Sequence, residues 1–336
     1  MTFLLRLLIG ILPVSTFLLL LIFLDSYKLL RLRTVLLTIL WGAAIAIVCL
    51  GINTLIIWQT RMGMAGYTRY VSPFTEEIMK ALLIVYFIRT KRVGFLVDVT
   101  ILGFALGAGF AIIENIYYLY VIRESTIFLW LVRGFGTAIM HGSVTAIFSI
   151  VSKGIAERND TDQWLVFIPG LGSAVILHSL FNHFLISPEL STIGITVGVP
   201  LIMIVVFQQS ERATRRWLGV GFDGDSELLE MITTGNIVQT RIGKYLTKLK
   251  ERFPGEAVAD MLCMLRIHLE LSIRAKGILL ARQQGLEIPI DPAVHDKFKE
   301  LRYLEQSIGR TGKLAITPIL HRSSRELWQL HMLAGK

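Results

Sequence analysis

Ionisable side chains interrupt several apolar stretches of this chain, and these side chains are the residues best placed to do chemistry. They are Glu76, Glu77, Lys80, Glu114, His141 and His178, with Asn182 as a polar neighbour. A charged group inside an apolar stretch costs about 2.5–3.5 kcal/mol on membrane-insertion scales, so each is a candidate for function. Carboxylates and imidazoles together can activate water, transfer protons or bind a metal ion.

The spacing of these residues indicates which of them share a helix face. Glu76 and Glu77 precede Lys80 by four and three residues, so either carboxylate can pair with that lysine on one face of a helix. His178 and Asn182 are likewise four residues apart. His183 lies about 140° around the helix from His178, which favours a structural or interfacial role for it.

The stretches that carry these residues have the length of membrane spans. The chain has 336 residues, 53% hydrophobic and 18% charged, with a mean hydropathy of +0.61, and is too apolar for an ordinary soluble enzyme. About 20 apolar residues cross the roughly 30 Å hydrocarbon layer. The windows nearly free of charge are 3–24, 34–58, 72–88, 95–121, 127–151, 163–186 and 190–208. The sequence therefore predicts an all-α polytopic membrane helix bundle of about seven spans, with the lipid bilayer as its surroundings.

The basic residues between these windows predict an orientation. Every second connection lies on the same side of the membrane. Eleven Lys and Arg residues lie in the connections of one side, and four lie on the other side or near the N-terminus. Since cytoplasmic loops collect Lys and Arg, the N-terminus is predicted to be outside and the C-terminus inside the cell.

The sequence predicts two domains. Residues 1–210 form a transmembrane domain, and residues 211–336 form a soluble domain. This region holds 20 basic and 15 acidic residues and shows helical periodicity in Val258, Leu262 and Leu265. We expect a cytoplasmic α-helical domain with an unidentified partner. Its mixed charges contain no nucleic-acid motif, so nucleic acid is not expected as that partner.

Taken in chain order, the motifs resemble those of the PrsW family of intramembrane proteases, relatives of the CAAX prenyl proteases and the bacteriocin-processing membrane proteases. The motifs are Glu76-Glu77-x-x-Lys80, Phe110-x-x-x-Glu114, His141 and His178-x-x-x-Asn182. The resemblance covers roughly residues 70–190. It implies that the chain hydrolyses a membrane-embedded or membrane-proximal protein, of which an anti-sigma factor is the best-known kind of substrate. It also implies that the chain lies in the bacterial inner membrane.

The chemistry of peptide hydrolysis suggests a role for each of these residues. We expect Glu76 to be the base that activates water, oriented with Glu77 and Lys80. His178 and Asn182 are expected to donate to the oxyanion, while His141 assists proton transfer. Glu114 either shares a proton with these groups or binds metal.

The sequence is compatible both with a site that binds a metal ion and with one that does not. A zinc ion could be held by Glu114, His141 and His178, but the chain lacks the HExxH motif of many zinc proteases. A metal-free, glutamate-dependent mechanism is the alternative.

Two other classes of function compete with the protease. Buried Glu, His and Lys also form the relays of proton-coupled or ion transporters, although the sequence contains no inverted repeat. A non-catalytic membrane scaffold is the other, and the presence of all the motifs argues against it.

Overall fold

A computed structural model describes residues 2–25, 27–122, 126–159, 161, 163–286, 288–320 and 324–334. All regular structure in these ranges is helical, which confirms the predicted fold class. The described chain forms two compact units, Met1–Glu211 and Arg212–Lys336. The predicted domain boundary at residue 210 lies beside the division between them.

The helices of the first unit follow the apolar windows closely. They are α1 (Phe3–Leu24), α2 (Leu32–Thr60), α3 (Met64–Gly66), α4 (Ser72–Arg89), α5 (Leu96–Val121), α6 (Ile127–Leu131), α7 (Ala138–Arg158), α8 (Ile168–His183) and the first part of α9 (Pro188–Thr233). Two π-helical turns, Tyr67–Val71 before α4 and Val132–Thr137 before α7, join neighbouring helices without a break.

Within the described residues, six helical segments are long and apolar enough to cross a membrane. They are Phe3–Leu24, Leu32–Thr60, Leu96–Val121, Ile127–Arg158, Trp164–His183 and Pro188–Thr233. The third predicted span corresponds to α4, which has only 18 residues and carries Glu76, Glu77, Lys80 and Arg89. Because of these charges, α4 is not one of the six candidate spans. It nevertheless packs against α2, α5, α7 and α8.

Helix α5 lies at the centre of this unit, in contact with α1, α2 and α7. Glycines make these contacts close, because a Cβ atom at Gly107 would overlap the carbonyl group of His141 on α7. A Cβ at Gly109 would similarly overlap the backbone of Ile39 on α2. Small residues at a helix interface let backbones approach in this way. Gly107 therefore brings α7 close to α5 at the position of His141.

The turn that precedes α4 is anchored to α8. A backbone carbonyl has two lone pairs, so those of this π-helical turn can accept hydrogen bonds from side chains of another helix. The Ser179 hydroxyl donates to the carbonyl of Arg69 at 2.5 Å, and the Asn182 amide donates to that of Thr68 at 2.9 Å. These bonds fix the start of α4, where the first candidate carboxylates lie.

The second unit is a helical domain with its own core. It contains the remainder of α9, then α10 (Arg241–Leu249), α11 (Gly255–Gln283), α12 (Ala293–Ser307), α13 (Gly309–Ile316) and α14 (Ser324–Leu333). Met261, Leu265 and Leu271 of α11 are buried in this core with Leu301 of α12 and Leu333 of α14.

Candidate active site

Glu76 lies in the first turns of α4 and is buried, with 7% of its surface exposed. Both of its hydrogen-bond donors contact the same carboxylate oxygen, Oε1: the Asn53 amide at 3.2 Å and the Ser72 hydroxyl. Thr75 donates to Oδ1 of Asn53 at 3.0 Å, which fixes the orientation of that amide. Oε2 of Glu76 accepts no hydrogen bond from the described residues, so it is the oxygen left for a ligand or a water.

Glu77 pairs with a lysine and a histidine in the interior. Lys80 Nζ donates to Glu77 Oε1 at 2.5 Å, and Nδ1 of His178 on α8 lies 2.8 Å from the same oxygen. All three side chains are almost completely buried. A carboxylate accepts hydrogen bonds only, so Nδ1 of His178 carries the proton and Nε2 of the neutral ring has a free lone pair.

His141 is held in a similar way by Glu114. Its Nε2 lies 3.0 Å from Oε2 of Glu114 on α5, so a proton on Nε2 donates to that carboxylate. Nδ1 then carries the lone pair and accepts from Lys80 Nζ at 3.3 Å. The His141 and His178 rings meet edge to face with centroids 4.8 Å apart.

A second layer of contacts supports Glu114. Arg133 lies 3.4 Å from its Oε2 and donates through Nε to Asn115 at 2.9 Å. Asn115 in turn donates to the carbonyl of Gly10 on α1 at 2.8 Å. Phe110, one turn before Glu114, stacks against His141 and lies under the Lys80 ammonium group.

The charges of this cluster do not balance. Among the described residues, the carboxyl groups of Glu76, Glu77 and Glu114 face two permanent cations, Lys80 and Arg133. In a buried site an uncompensated negative charge is costly, so a bound cation, or a proton on one imidazole or on Glu76, would complete the charge balance.

Three of these side chains could hold a metal ion together. Ligand atoms of Glu76, His141 and His178 all lie within 4.8 Å of one another, and all three residues are buried. Two neutral imidazoles and one carboxylate are an ordinary zinc donor set. Each histidine also bonds a carboxylate through its other nitrogen, as metal-ligating histidines do. The residues therefore fit a metal if Lys80 Nζ releases Nδ1 of His141 to the ion, with Glu76 in the place where Glu114 was expected from the sequence.

The structure brings six of the seven predicted site residues together. Hydrogen bonds link five of them, Glu77, Lys80, Glu114, His141 and His178, and Glu76 lies beside the two histidines. Asn182 is the exception, because its amide donates to the carbonyl of Thr68 rather than to a side chain of the cluster. The proton on Nδ1 of His178 also leaves the neutral ring without a donor at Nε2. The expectation that His178 and Asn182 donate to the oxyanion is therefore not supported by these contacts.

Neither donor to Glu76, Asn53 or Ser72, was predicted from the sequence. Asn53 lies in α2 and bonds Glu76 from a distance of 23 positions along the chain. An amide within the apolar window 34–58 was the only signal available in the sequence.

One protein-family model matches most of the first unit. The family model described as PrsW family intramembrane metalloprotease matches residues 31–208, which include every residue of the cluster. No curated protein and no solved structure shows significant similarity to the chain. The match spans more than half of the 336 residues. The chain belongs to the PrsW family of intramembrane metalloproteases.

Proposed function

We propose that this intramembrane endopeptidase cleaves its substrate at the cluster of Glu76, His141 and His178, with water activated at Oε2 of Glu76. The observation that carries the proposal is the asymmetry of the Glu76 carboxylate. Asn53 and Ser72 both donate to Oε1, and Oε2 accepts nothing from the described residues. A carboxylate held by one oxygen offers the other in a fixed position, as a general base requires.

The other residues prepare the site before a substrate arrives. Glu77 and Glu114 fix the ring orientation and the proton position of His178 and His141. Lys80 contacts both Glu77 and His141, and so links the two histidine pairs at the centre of the site. Preorganised groups of this kind do not have to reorient during the reaction.

Glu76, His141 and His178 are the residues that would hold the metal of the family, with zinc as the ion that this donor set favours. A bound metal would polarise the scissile carbonyl and make its water a stronger nucleophile. Oε2 of Glu76 is the atom available for either task, as a metal ligand or as the acceptor of the water proton.

Hydrolysis in this proposal proceeds in two proton steps. The water oxygen bonds to the peptide carbon while its proton passes to Glu76 and the π electrons of the carbonyl move onto the carbonyl oxygen. The carbonyl then re-forms as the C–N bond breaks and the proton on Glu76 is delivered to the leaving amine, with His141 assisting the transfer. Glu76 returns to its carboxylate form, so the site is ready for another cycle.

The substrate we propose is a membrane-embedded or membrane-proximal protein. The side chain of Glu114 is 22% exposed, more than the other carboxylates of the cluster, so access to the site is expected from its side. An anti-sigma factor in a bacterial inner membrane is the substrate that the family resemblance implies. The basic asymmetry of the connections supports an N-out and C-in orientation.

The test is cleavage of a co-reconstituted single-span membrane protein in liposomes by the purified chain and by Glu76→Gln. Gln keeps the volume of Glu but cannot accept the water proton, so cleavage should fall by at least about 10²-fold. Glu189→Gln, which changes an exposed glutamate at the start of α9, is the matched control and should cleave normally.

Metal analysis of the same two variants separates the tasks of Glu76. A ligand role predicts that Glu76→Gln loses both metal and activity. A base role predicts that it retains the metal and loses activity. Full activity of Glu76→Gln would overturn the assignment of this residue.

A further inference from the structure

A cavity of about 400 Å³ lies within the second unit, outside the region matched by the family. One face of α9 lines it, with Trp217, Gly224 and Leu228, and the faces of α11 and α14 complete it. The volume falls within the roughly 300–1,000 Å³ of small-molecule sites. The walls are mainly apolar, with a few polar groups gathered together, and this is the composition typical of such sites.

The polar groups form a buried chain of hydrogen bonds. Lys276 Nζ donates to Oδ2 of Asp225 at 2.6 Å, and the Ser272 hydroxyl donates to the same oxygen at 2.5 Å. Lys276 is 1% exposed and reaches Asp225 past Gly221, where a Cβ atom would lie 2.7 Å from Nζ. The lysine and the aspartate compensate each other, so the polar end of the cavity does not require a charged ligand.

Gln329 supplies an acceptor that no described residue satisfies. Its Nε2 donates to Ser272 Oγ at 2.9 Å, and this direction is fixed because the serine proton is already given to Asp225. Oε1 of Gln329 is therefore left over. It is buried with no hydrogen-bond partner among the described residues, and the residue is 2% exposed. Buried polar atoms are nearly always paired, so this acceptor points to a donor that a ligand would bring.

We propose that this cavity binds a neutral, mainly apolar small molecule whose hydroxyl or N–H group donates to Oε1 of Gln329. The apolar body of the molecule lies against Leu228, Leu265 and Leu269, and its donor end lies beside Ser272. The site is a property of the second unit and does not depend on the proposed chemistry of the first.

The experiment uses the full chain in phosphatidylcholine nanodiscs and two probes of similar shape. The first probe, 2-naphthol, has a hydroxyl donor, and the second, 2-methoxynaphthalene, has none. Calorimetric titration, corrected with empty nanodiscs, should show saturable binding of 2-naphthol, about three- to tenfold tighter than that of the methyl ether. Gln329→Met keeps a long side chain without the acceptor and should remove this preference.

A second variant tests the location. A Cβ atom at Gly224 meets open space, so Gly224→Leu should fold normally while filling the rim of the cavity and abolishing binding. Gly219→Leu is the matched control, since Gly219 also meets open space on α9 but does not line the cavity. Binding that survives Gly224→Leu, equal affinity for both probes, or no saturable binding would overturn the proposal.

The same donor chemistry could be supplied by a free small molecule or by a neutral lipid with hydroxyl groups. Monoolein added to the nanodiscs distinguishes these sources. Competition with 2-naphthol assigns the site to a lipid, and bound 2-naphthol that monoolein does not displace assigns it to a free molecule.

Discussion

Nδ1 of His178 lies 2.8 Å from Oε1 of Glu77, so two buried residues on α8 and α4 form a carboxylate–histidine pair. The pair fixes which nitrogen of His178 carries the proton and leaves Nε2 with its lone pair. The same arrangement is found in many metal sites, where the carboxylate orients the histidine ligand. In the proposed mechanism Glu77 therefore acts through His178 rather than on the substrate.

Replacing Glu77 with Gln tests this positioning role. The amide of Gln can donate to Nδ1 and so allow the wrong tautomer of His178. We expect metal affinity to fall by about 10–100-fold, with a parallel loss of cleavage. Competition with a zinc chelator measures the affinity, and unchanged affinity in Glu77→Gln would contradict the assignment.

Asn53→Ala should reduce cleavage while the protein folds normally. The substitution removes one of the two donors to Oε1 of Glu76, and hydrogen bonds to charged groups contribute about 1.5–3 kcal/mol, or roughly 10–150-fold in rate. The neighbouring Thr54→Ala is the control, because the Thr54 hydroxyl bonds only the carbonyl of Leu50 on the exposed side of α2. Equal activities of the two variants would show that Asn53 has no positioning role.

Gly107→Ala should destabilise the first unit. The added Cβ atom would overlap the carbonyl of His141 and push α7 away from α5, an overpacking that costs about 1–3 kcal/mol. Gly154→Ala gains the same helix propensity on α7, but its Cβ meets open space. Thermal unfolding in detergent should show a lower midpoint for Gly107→Ala alone.

Asp25, in the connection between α1 and α2, should make stability depend on pH. Burial raises the pKa of its carboxyl group, against the lowering effect of the hydrogen bond from the Tyr27 backbone amide. A raised pKa in the folded state favours the protonated form, so the stabilisation is complete below the ordinary pKa of the group. It is lost as the pH rises through the raised value.

Asp25→Asn is the variant that measures this effect, since Asn keeps the oxygen that accepts from Tyr27. We expect its unfolding midpoint to exceed that of the natural chain at pH 8, and this difference to shrink steadily as the pH falls towards the ordinary pKa of 3.8. A constant difference between the two proteins across this range would show that ionisation of Asp25 does not affect stability.

The sequence alone determined the fold class and the family. Apolar windows of membrane-spanning length can satisfy their backbone groups only as helices or closed barrels, and these windows lack the alternation of barrel strands. The order of the motifs around Glu76, Glu114, His141 and His178 indicated the PrsW family, which the family match confirms.

The partners of each side chain were decided only by the tertiary structure. Spacing along one helix predicts pairs such as Glu77 and Lys80, but it cannot predict how far neighbouring helices rotate or how closely they approach. Contact of α5 with α7 at Gly107 places His141 against Glu114, while Glu76 joins the two histidines as the third possible metal ligand. Asn53 and Glu76 meet for the same reason, because they lie on different helices and only packing brings them together.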